Sequence, residues 1–250
     1  MYDGTTRFSC RGQPIYNFSL ISTFSQYSVI PDIALAKINK SAPLDKVCLF
    51  GCGVSTGYGA AINTAKVEPG SSVAIWGLGC IGLAAVMGAK TCGAKDIYAI
   101  DINPDKFQIA KKLGATNCIN PDDYKNKSFL EVIKEFALSG FDYTFECVGN
   151  VEIMKTAFEA CNKHWGVAVV LGAAPAGCNV TTSPMNFLTG RKWIGSLLGG
   201  WKSVDSVPKL VNDYLNEKIK LDEFITHRMT LENITAAFDF MLEGKRYVFN

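Results

Sequence analysis

The chain has 250 residues, of which 48% are apolar, so it can form a full hydrophobic core and an intrinsically disordered chain is excluded. Its formal net charge is only +2 and its lysines and arginines are scattered, which predicts neither a nucleic-acid partner nor a membrane partner. A small-molecule ligand is therefore favoured, and the length suggests one large domain plus part of another.

The amino-terminal segment and the cysteines indicate a reducing, cytoplasmic location. The segment MYDGTTRFSC has neither the basic start nor the apolar stretch of a secretion signal. The nine cysteines are odd in number and contain no C-x-x-C pair, so neither a disulfide framework nor a self-contained zinc module is expected. The apolar run at residues 73–89 has no charged residue but contains glycines in its middle, which favours a buried strand, turn and helix over a membrane span.

The first part of the chain, residues 1–53, differs in pattern from the rest. Its short extended pieces, FSQYSVIP and ALAKINK, are punctuated by Gly, Pro and Asn residues. This pattern is typical of the end of an all-β unit.

From about Ser71 onward, short β-rich runs alternate with helical runs. We expect strands at residues 71–76, 96–101, 142–148 and 166–172. We expect helices at residues 80–93, 103–114, 128–138 and 151–162. Further along, the pattern predicts a helix within 204–217, a strand within 222–229 and a helix within 231–244. Short apolar strands separated by amphipathic helices predict an α/β fold, with a parallel sheet covered on both faces.

The sequence WGLGCIG carries three glycines, Gly77, Gly79 and Gly82, between an expected strand and an expected helix. This G-x-G-x-x-G spacing is weak by itself, but its position is the one that a doubly wound Rossmann domain uses for a dinucleotide. The first glycine permits the sharp turn, the second lets a pyrophosphate approach the backbone, and the third lets helix and strand pack closely. The residues between the glycines, Leu78, Cys80 and Ile81, are then expected to contact the cofactor as well.

Asp101 ends the next expected strand, about twenty residues after the last glycine, where an acidic side chain can accept hydrogen bonds from an adenosine ribose. A 2′-phosphate about 4 Å from this carboxylate would be repelled by ~4 kcal/mol per charge pair at an effective dielectric constant near 20. The sequence therefore predicts NAD rather than NADP. Lys106, five residues later, is either a second ribose contact or a solvated surface lysine.

Together with this fingerprint, the segments GCGVSTGYGAA, FDYTFECVGN, GWKSVDSVPKLV and KLDEFITHRM closely resemble the zinc-dependent medium-chain alcohol dehydrogenases. The similarity is greatest to the class III branch, the glutathione-dependent formaldehyde dehydrogenases. This resemblance implies a Rossmann domain over residues 54–197. It also implies parts of a β-rich, GroES-like catalytic domain at residues 1–53 and 198–250.

The resemblance assigns roles to several residues. It implies that Cys52 is a ligand of a catalytic zinc ion and that Thr56 touches the nicotinamide. Ile81 and the backbone of residues 171–173 (Leu171, Gly172 and Ala173) would line the nicotinamide side. Lys163 would contact the carboxylate of a glutathione adduct. Residues 192–198 resemble the edge strand through which two such subunits pair, which implies a homodimer.

The family's other catalytic zinc ligands, a cysteine and a histidine, belong to a segment upstream of the residues seen here. Only His164 and His227 are present, and neither has a metal-ligand spacing from Cys52. Cys52 is therefore expected to behave as a free thiol in this chain, which we interpret as a truncated form of the enzyme.

Three functions follow from these expectations. The first is zinc- and NAD-dependent oxidation of alcohols, above all of S-hydroxymethylglutathione, with hydride transfer to NAD. The second is a catalytically inactive NAD-binding module that pairs with full-length subunits. The third is a zinc-free reductase, and the presence of the ligand cysteine in GCGVST argues against it.

Overall fold

The structure is a computed structural model, and it describes residues 4–18, 21–124 and 126–242. A short antiparallel hairpin, β1 (Phe8–Cys10) and β2 (Gln13–Ile15), lies near the amino terminus. The other six strands form one sheet: β3 (Ser72–Trp76), β4 (Asp96–Ile100), β5 (Asn117–Ile119), β6 (Tyr143–Glu146), β7 (Val167–Val170) and β8 (Lys192–Gly195).

The α-helices of the described residues lie between and after these strands. They are α1 (Leu44–Val47), α2 (Gly53–Gly59), α3 (Cys80–Thr91), α4 (Phe107–Leu113), α5 (Phe129–Phe136), α6 (Val151–Ala160), α7 (Met185–Leu188), α8 (Ser203–Leu215) and α9 (Ile234–Leu242). None of them is long and apolar enough to cross a lipid bilayer.

The six-stranded sheet is parallel throughout, and its strands lie in the order β5-β4-β3-β6-β7-β8. The chain runs outward from β3 to one edge, returns to β6 on the other side of β3, and runs outward again to β8. This order creates a topological switch point between β3 and β6, and ligands of such sheets bind at the carboxyl ends of the strands there. The predicted doubly wound α/β fold is confirmed.

The central strands are short and apolar because helices cover both faces of the sheet. All four residues of β6 are buried, as are Val73, Ala74, Ile75 and Trp76 of β3. Continuous apolar runs of this kind are typical of parallel sheets.

Local signals set the ends of the helices. The side chain of Ser128 begins α5 with a capping box to Glu131, and the Asn150 side chain accepts from the N–H groups of Glu152 and Ile153 at the start of α6. Gly114, with φ of +124°, follows the last residue of α4, as the sequence predicted.

The amino-terminal part contributes little to the core. No described residue before Ala42 is buried, and several apolar side chains there, among them Tyr16, Tyr27 and Val29, are largely exposed. The expected extended pieces at residues 24–31 and 34–40 form no strands. Among the described residues of this region, the strands are β1 and β2, so assignment of residues 1–53 and 198–250 to a catalytic domain stays a prediction. Residues 1–3 and 243–250 of these two units lie outside the described residues.

The strand expected within residues 222–229 is wrong. Asp222–Phe224 form a turn of 3-10 helix instead. The side chains of Leu221 and Phe224, three residues apart, are both buried in the core, and a helical turn is what brings them to one side. Asp222 forms an ion pair with Lys46 and accepts a hydrogen bond from the Tyr214 hydroxyl, which fixes the turn against α8.

Candidate functional site

The turn between β3 and α3 lies at the switch point. Gly77 has φ of +86°, a conformation that L-residues with side chains rarely adopt. A Cβ atom on Gly77 would lie 2.7 Å from Cγ2 of Val148, so the next loop packs directly against this glycine. The N–H of Gly77 donates to the carbonyl of Ile100 (2.9 Å), which ties the turn to the end of β4.

Gly79 and Gly82 differ in what surrounds them. A Cβ atom on Gly82 would overlap the carbonyl oxygen of Gly77, so Gly82 is required for the close packing of α3 against the turn. A Cβ atom on Gly79 would meet nothing within 4 Å. Gly79 is the N-cap of the 12-residue helix α3 and provides no capping side chain. Open space at a helix amino terminus, where N–H groups and the helix dipole attract anions, suits a phosphate group.

Asp101 immediately follows β4 and is 8% exposed. Its Oδ2 accepts a hydrogen bond from the N–H of Leu78 (2.7 Å) in the glycine turn, and its Oδ1 accepts one from the N–H of Asn103 (2.9 Å). The carboxylate is therefore held in one orientation beside the glycine turn. A carboxylate has about four lone-pair positions, which leaves room for a further donor.

Lys106 belongs to the turn that precedes α4, and its Nζ lies 3.0 Å from Oδ2 of Asp101. The lysine side chain is mostly buried, unlike a freely solvated surface lysine. Lys106 therefore lies beside Asp101, and its contact with a ribose stays a prediction.

A cavity of about 350 Å³ opens at the carboxyl ends of β3, β4, β5 and β6. Asp101 and Lys106 line it together with apolar side chains, among them Trp76, Ile102, Pro121 and Ile153. A largely apolar slot with a few fixed polar groups is a common form of small-molecule site.

Cys52 and Thr56 lie where α2 begins, next to the amino terminus of α3. The Cys52 carbonyl accepts hydrogen bonds from the N–H (2.9 Å) and the hydroxyl (2.8 Å) of Thr56, and the Cys52 side chain is exposed. A Cβ atom on Gly53 would lie 2.7 Å from Sγ of Cys80, the first residue of α3. Burial, with a smaller contribution from the charge of Cys52, raises the pKa of Cys80 to about 12.

The predicted nicotinamide-side residues follow β7, the neighbour of β6. The N–H groups of Leu171 and Gly172 donate to the carbonyl of Glu146 at 2.9 and 3.0 Å. Gly172 packs against the backbone of Gly149 without room for a side chain. This turn therefore lies at the same end of the sheet as the glycine turn.

Lys163 lies apart from the other predicted site residues. It is exposed in the turn between α6 and β7, which is at the amino end of the sheet, whereas Asp101 and the glycine turn are at the carboxyl end. There it lines a second cavity, of about 320 Å³, together with Trp165 and Arg191. Within one chain, the structure does not bring Lys163 together with Cys52, Thr56 or Asp101.

The profile of a protein family described as zinc-binding dehydrogenase matches residues 80–213. This chain belongs to the zinc-binding dehydrogenase family. The match covers α3 to α8 and therefore most of the doubly wound sheet, and it confirms the resemblance based on the sequence motifs.

Relatives of this zinc-binding dehydrogenase include two proteins named alcohol dehydrogenase class-3, that is, oxidoreductases. The one from Drosophila melanogaster is 54% identical over 246 residues, and the one from Myxine glutinosa is 55% identical over 245 residues. In both cases the match covers 98% of this chain but 65% of the relative. The chain therefore spans slightly less than two thirds of their length.

Two solved structures resemble the fold. Benzyl alcohol dehydrogenase from Acinetobacter calcoaceticus is 32% identical, with a TM-score of 0.84 over 92% of this chain and 62% of that chain. An alcohol dehydrogenase zinc-binding domain protein from Burkholderia ambifaria is 31% identical, with a TM-score of 0.87 over 98% of this chain and 66% of that chain.

The family implies a catalytic zinc ion, but the described part of this zinc-binding dehydrogenase does not fit one by itself. Among residues 4–18, 21–124 and 126–242, no three His, Cys, Asp or Glu side chains cluster as metal ligands. Cys52 lies beside α3, next to Cys80, and its role as a zinc ligand stays a prediction. His164 is exposed at the amino end of the sheet, and His227 packs near Phe240. These residues therefore support no chemical step through zinc.

Glu146 is a functional candidate that the sequence interpretation missed. It ends β6 at the switch point and is 1% exposed. The available signal was one acidic residue inside the otherwise uncharged run YTFECV, because a buried carboxylate must have hydrogen-bond donors nearby.

Proposed function

We propose that this chain binds NAD in the crevice between β3 and β6 and forms the nucleotide-binding part of a class III alcohol dehydrogenase. The observation that carries the proposal is the fixed Asp101 carboxylate beside the glycine turn and at the wall of the 350 Å³ cavity. The open space over Gly79 suits the pyrophosphate, and the apolar walls suit the adenine.

The preference for NAD over NADP depends on two opposing charges. Asp101 repels a 2′-phosphate by ~4 kcal/mol at about 4 Å with an effective dielectric constant near 20. Lys106 attracts the same phosphate, but its Nζ is already paired with Asp101 at 3.0 Å. We expect the preference for NAD to persist and to be smaller than Asp101 alone would give.

The proposed reaction is oxidation of an alcohol, with S-hydroxymethylglutathione as the most specific candidate substrate. In a complete enzyme of this family, a bound zinc ion would supply Lewis-acid chemistry and a bound nicotinamide would supply the hydride acceptor. The residues of this chain would contribute binding and orientation: Thr56 and the turn at residues 171–173 would flank the nicotinamide, and Cys52 would be one of the protein ligands of the metal.

Lys163 retains its proposed contact with a glutathione carboxylate only if a second subunit supplies it. It lies at the amino end of the sheet, and the crevice lies at the carboxyl end. This proposed contact is therefore consistent with the proposed homodimer, in which β8 is the edge strand available for pairing.

A second candidate function is an NAD-binding module without catalysis. It is favoured by the lack of a cluster of three metal ligands around Cys52, or elsewhere, among the described residues. Metal analysis and turnover of S-hydroxymethylglutathione separate the two. Clearly less than one zinc ion per chain without turnover would support the module, and turnover would exclude it.

Isothermal titration with NAD and NADP tests the proposed site. Asp101→Asn should weaken NAD binding about tenfold, because its one oxygen cannot accept both the Leu78 and the Asn103 hydrogen bonds, and it should reduce the preference for NAD over NADP. Asp105→Asn, an exposed acid in the same turn, is the matched control and should leave both affinities unchanged. An unchanged cofactor preference in Asp101→Asn would contradict the assignment.

A further inference from the structure

The side chain of Glu146 organises the loop at the switch point. Its Oε1 accepts hydrogen bonds from three consecutive backbone N–H groups, those of Val148 (2.8 Å), Gly149 (2.7 Å) and Asn150 (3.4 Å). These residues connect β6 to α6. One carboxylate oxygen therefore fixes the whole loop, and the third donor belongs to the N-cap residue of α6.

This loop forms one wall of the proposed nucleotide crevice. Val148 packs against Gly77 of the glycine turn, where a Cβ atom would lie 2.7 Å from Cγ2 of Val148. Val148 and Cys147 also line the cavity that contains Asp101. The N–H of Cys147 donates to the carbonyl of Trp76 (2.9 Å), which joins the start of the loop to β3. A displacement of the loop would change the adenosine side of the crevice.

Glu146 also holds the turn at residues 171–173, the proposed nicotinamide side of the crevice. Its backbone carbonyl accepts the N–H groups of Leu171 and Gly172, and a Cβ atom on Gly172 would lie 2.6 Å from Oε2 of Glu146. Gly149, in the loop that the side chain holds, packs against Ala173: a Cβ atom on it would lie 2.9 Å from the Ala173 carbonyl carbon. The loop at residues 148–150 and the turn at residues 171–173 are thus in contact at Gly149, which the Glu146 side chain holds.

We propose that Glu146 is a positioning residue that sets the relative placement of the two halves of the dinucleotide crevice. This inference rests on the proposed NAD binding and adds a residue that touches neither half of the cofactor. Three N–H groups converge on Oε1, and only an oxygen acceptor can satisfy them. Oε2 is buried without a hydrogen-bond partner among the described residues, so the side chain holds the loop through Oε1.

The comparison of two Glu146 variants with wild type by isothermal titration with NAD tests the proposal. Glu146→Ala leaves the three donors without an acceptor and should raise the Kd at least tenfold. Glu146→Gln keeps one oxygen acceptor but loses its charge, so it should raise the Kd about threefold to fivefold, a partial rescue. A Kd within twofold of wild type in both variants would overturn the proposal.

Thr144→Val is the matched control for lost stability. Thr144 is a fully buried polar residue two positions earlier in β6, and its hydroxyl donates to the carbonyl of Ala157 (2.9 Å), away from the crevice. Thr144→Val should lower the unfolding temperature and leave the Kd for NAD within twofold. An equal loss of NAD affinity in Thr144→Val would show that destabilisation alone explains the Glu146 variants.

Amide hydrogen exchange separates this proposal from the proposed function. If wild type fails to bind NAD, the proposed function is wrong, but exchange of the amides of residues 148–150 still decides the role of Glu146. These amides should exchange at least tenfold faster in Glu146→Gln than in wild type, while those in Thr144→Val should not. Unchanged exchange in Glu146→Gln would overturn the positioning role whether or not Glu146→Ala folds.

Discussion

At the scale of single residues, Gly79 and Gly82 belong to one motif but serve different purposes. Gly79→Ala adds a methyl group to open space, so we expect the free energy of unfolding to fall by less than about 1 kcal/mol, the cost of losing a good N-cap residue. The same methyl group would occupy the proposed phosphate position and should weaken NAD binding about tenfold. Chemical denaturation and isothermal titration measure the two effects.

Gly82→Ala should give the opposite result within the same motif. Its methyl group would overlap the backbone carbonyl of Gly77, so α3 must shift, and overpacking of this kind costs about 1–3 kcal/mol of stability. If Gly79→Ala destabilised the fold as much as Gly82→Ala while leaving NAD affinity intact, the open space over Gly79 would not be a phosphate site.

At the scale of secondary-structure elements, Asp142 ties the amino ends of β3 and β6 together. Its Oδ2 accepts from the N–H (2.8 Å) and the hydroxyl (2.9 Å) of Ser72, and its Oδ1 accepts from the indole N–H of Trp165 (2.7 Å). Burial acts to raise the pKa of Asp142, but these hydrogen bonds to the ionised form outweigh it, so the pKa is lowered.

Because the folded-state pKa of Asp142 is below that of the unfolded chain, its contribution is complete above the unfolded value and is lost as the pH falls through the folded value. Asp142→Asn should therefore reduce the free energy of unfolding by about 1–2 kcal/mol at pH 7. The difference from wild type should shrink below about pH 4. Urea denaturation at several pH values measures this difference in the free energy of unfolding. A difference that grew as the pH fell would refute the stabilising role of the ionised Asp142 side chain. Asp105→Asn, at an exposed position, should unfold with the same free energy as wild type at each pH.

The elements that the sequence predicted well are those set by local signals. Strands β3, β4, β6 and β7 are short, mainly apolar runs, α5 and α6 begin at side-chain caps, and α4 ends at a glycine. Residues 222–229 were misassigned because Leu221 and Phe224 turn toward the core through contacts distant in sequence. Glu146 was missed for a similar reason: its partners are backbone N–H groups, which no residue type in the sequence reveals.

At the scale of the whole molecule, β8 leaves one edge of the sheet without a partner strand among the described residues. The N–H groups of Lys192 and Ser196 donate to β7, so by the alternation of a parallel ladder the intervening groups of Trp193 and Gly195 face outward. Apolar side chains surround this edge: Leu188 is largely exposed and Leu197 is 93% exposed. Unpaired edges with exposed apolar neighbours favour association with another strand.

We therefore expect two copies of the chain to pair through β8. Leu197→Asp would place a charge in the proposed interface and should raise the dimer dissociation constant at least tenfold. Leu44→Asp is the control and should leave this constant unchanged, because Leu44 is also exposed (71%) but lies at the start of α1. Light scattering across a concentration series measures the mass of each variant. A monomeric wild type, or a dimer that tolerates Leu197→Asp, would contradict this pairing, and with it the proposed delivery of Lys163 from a second subunit.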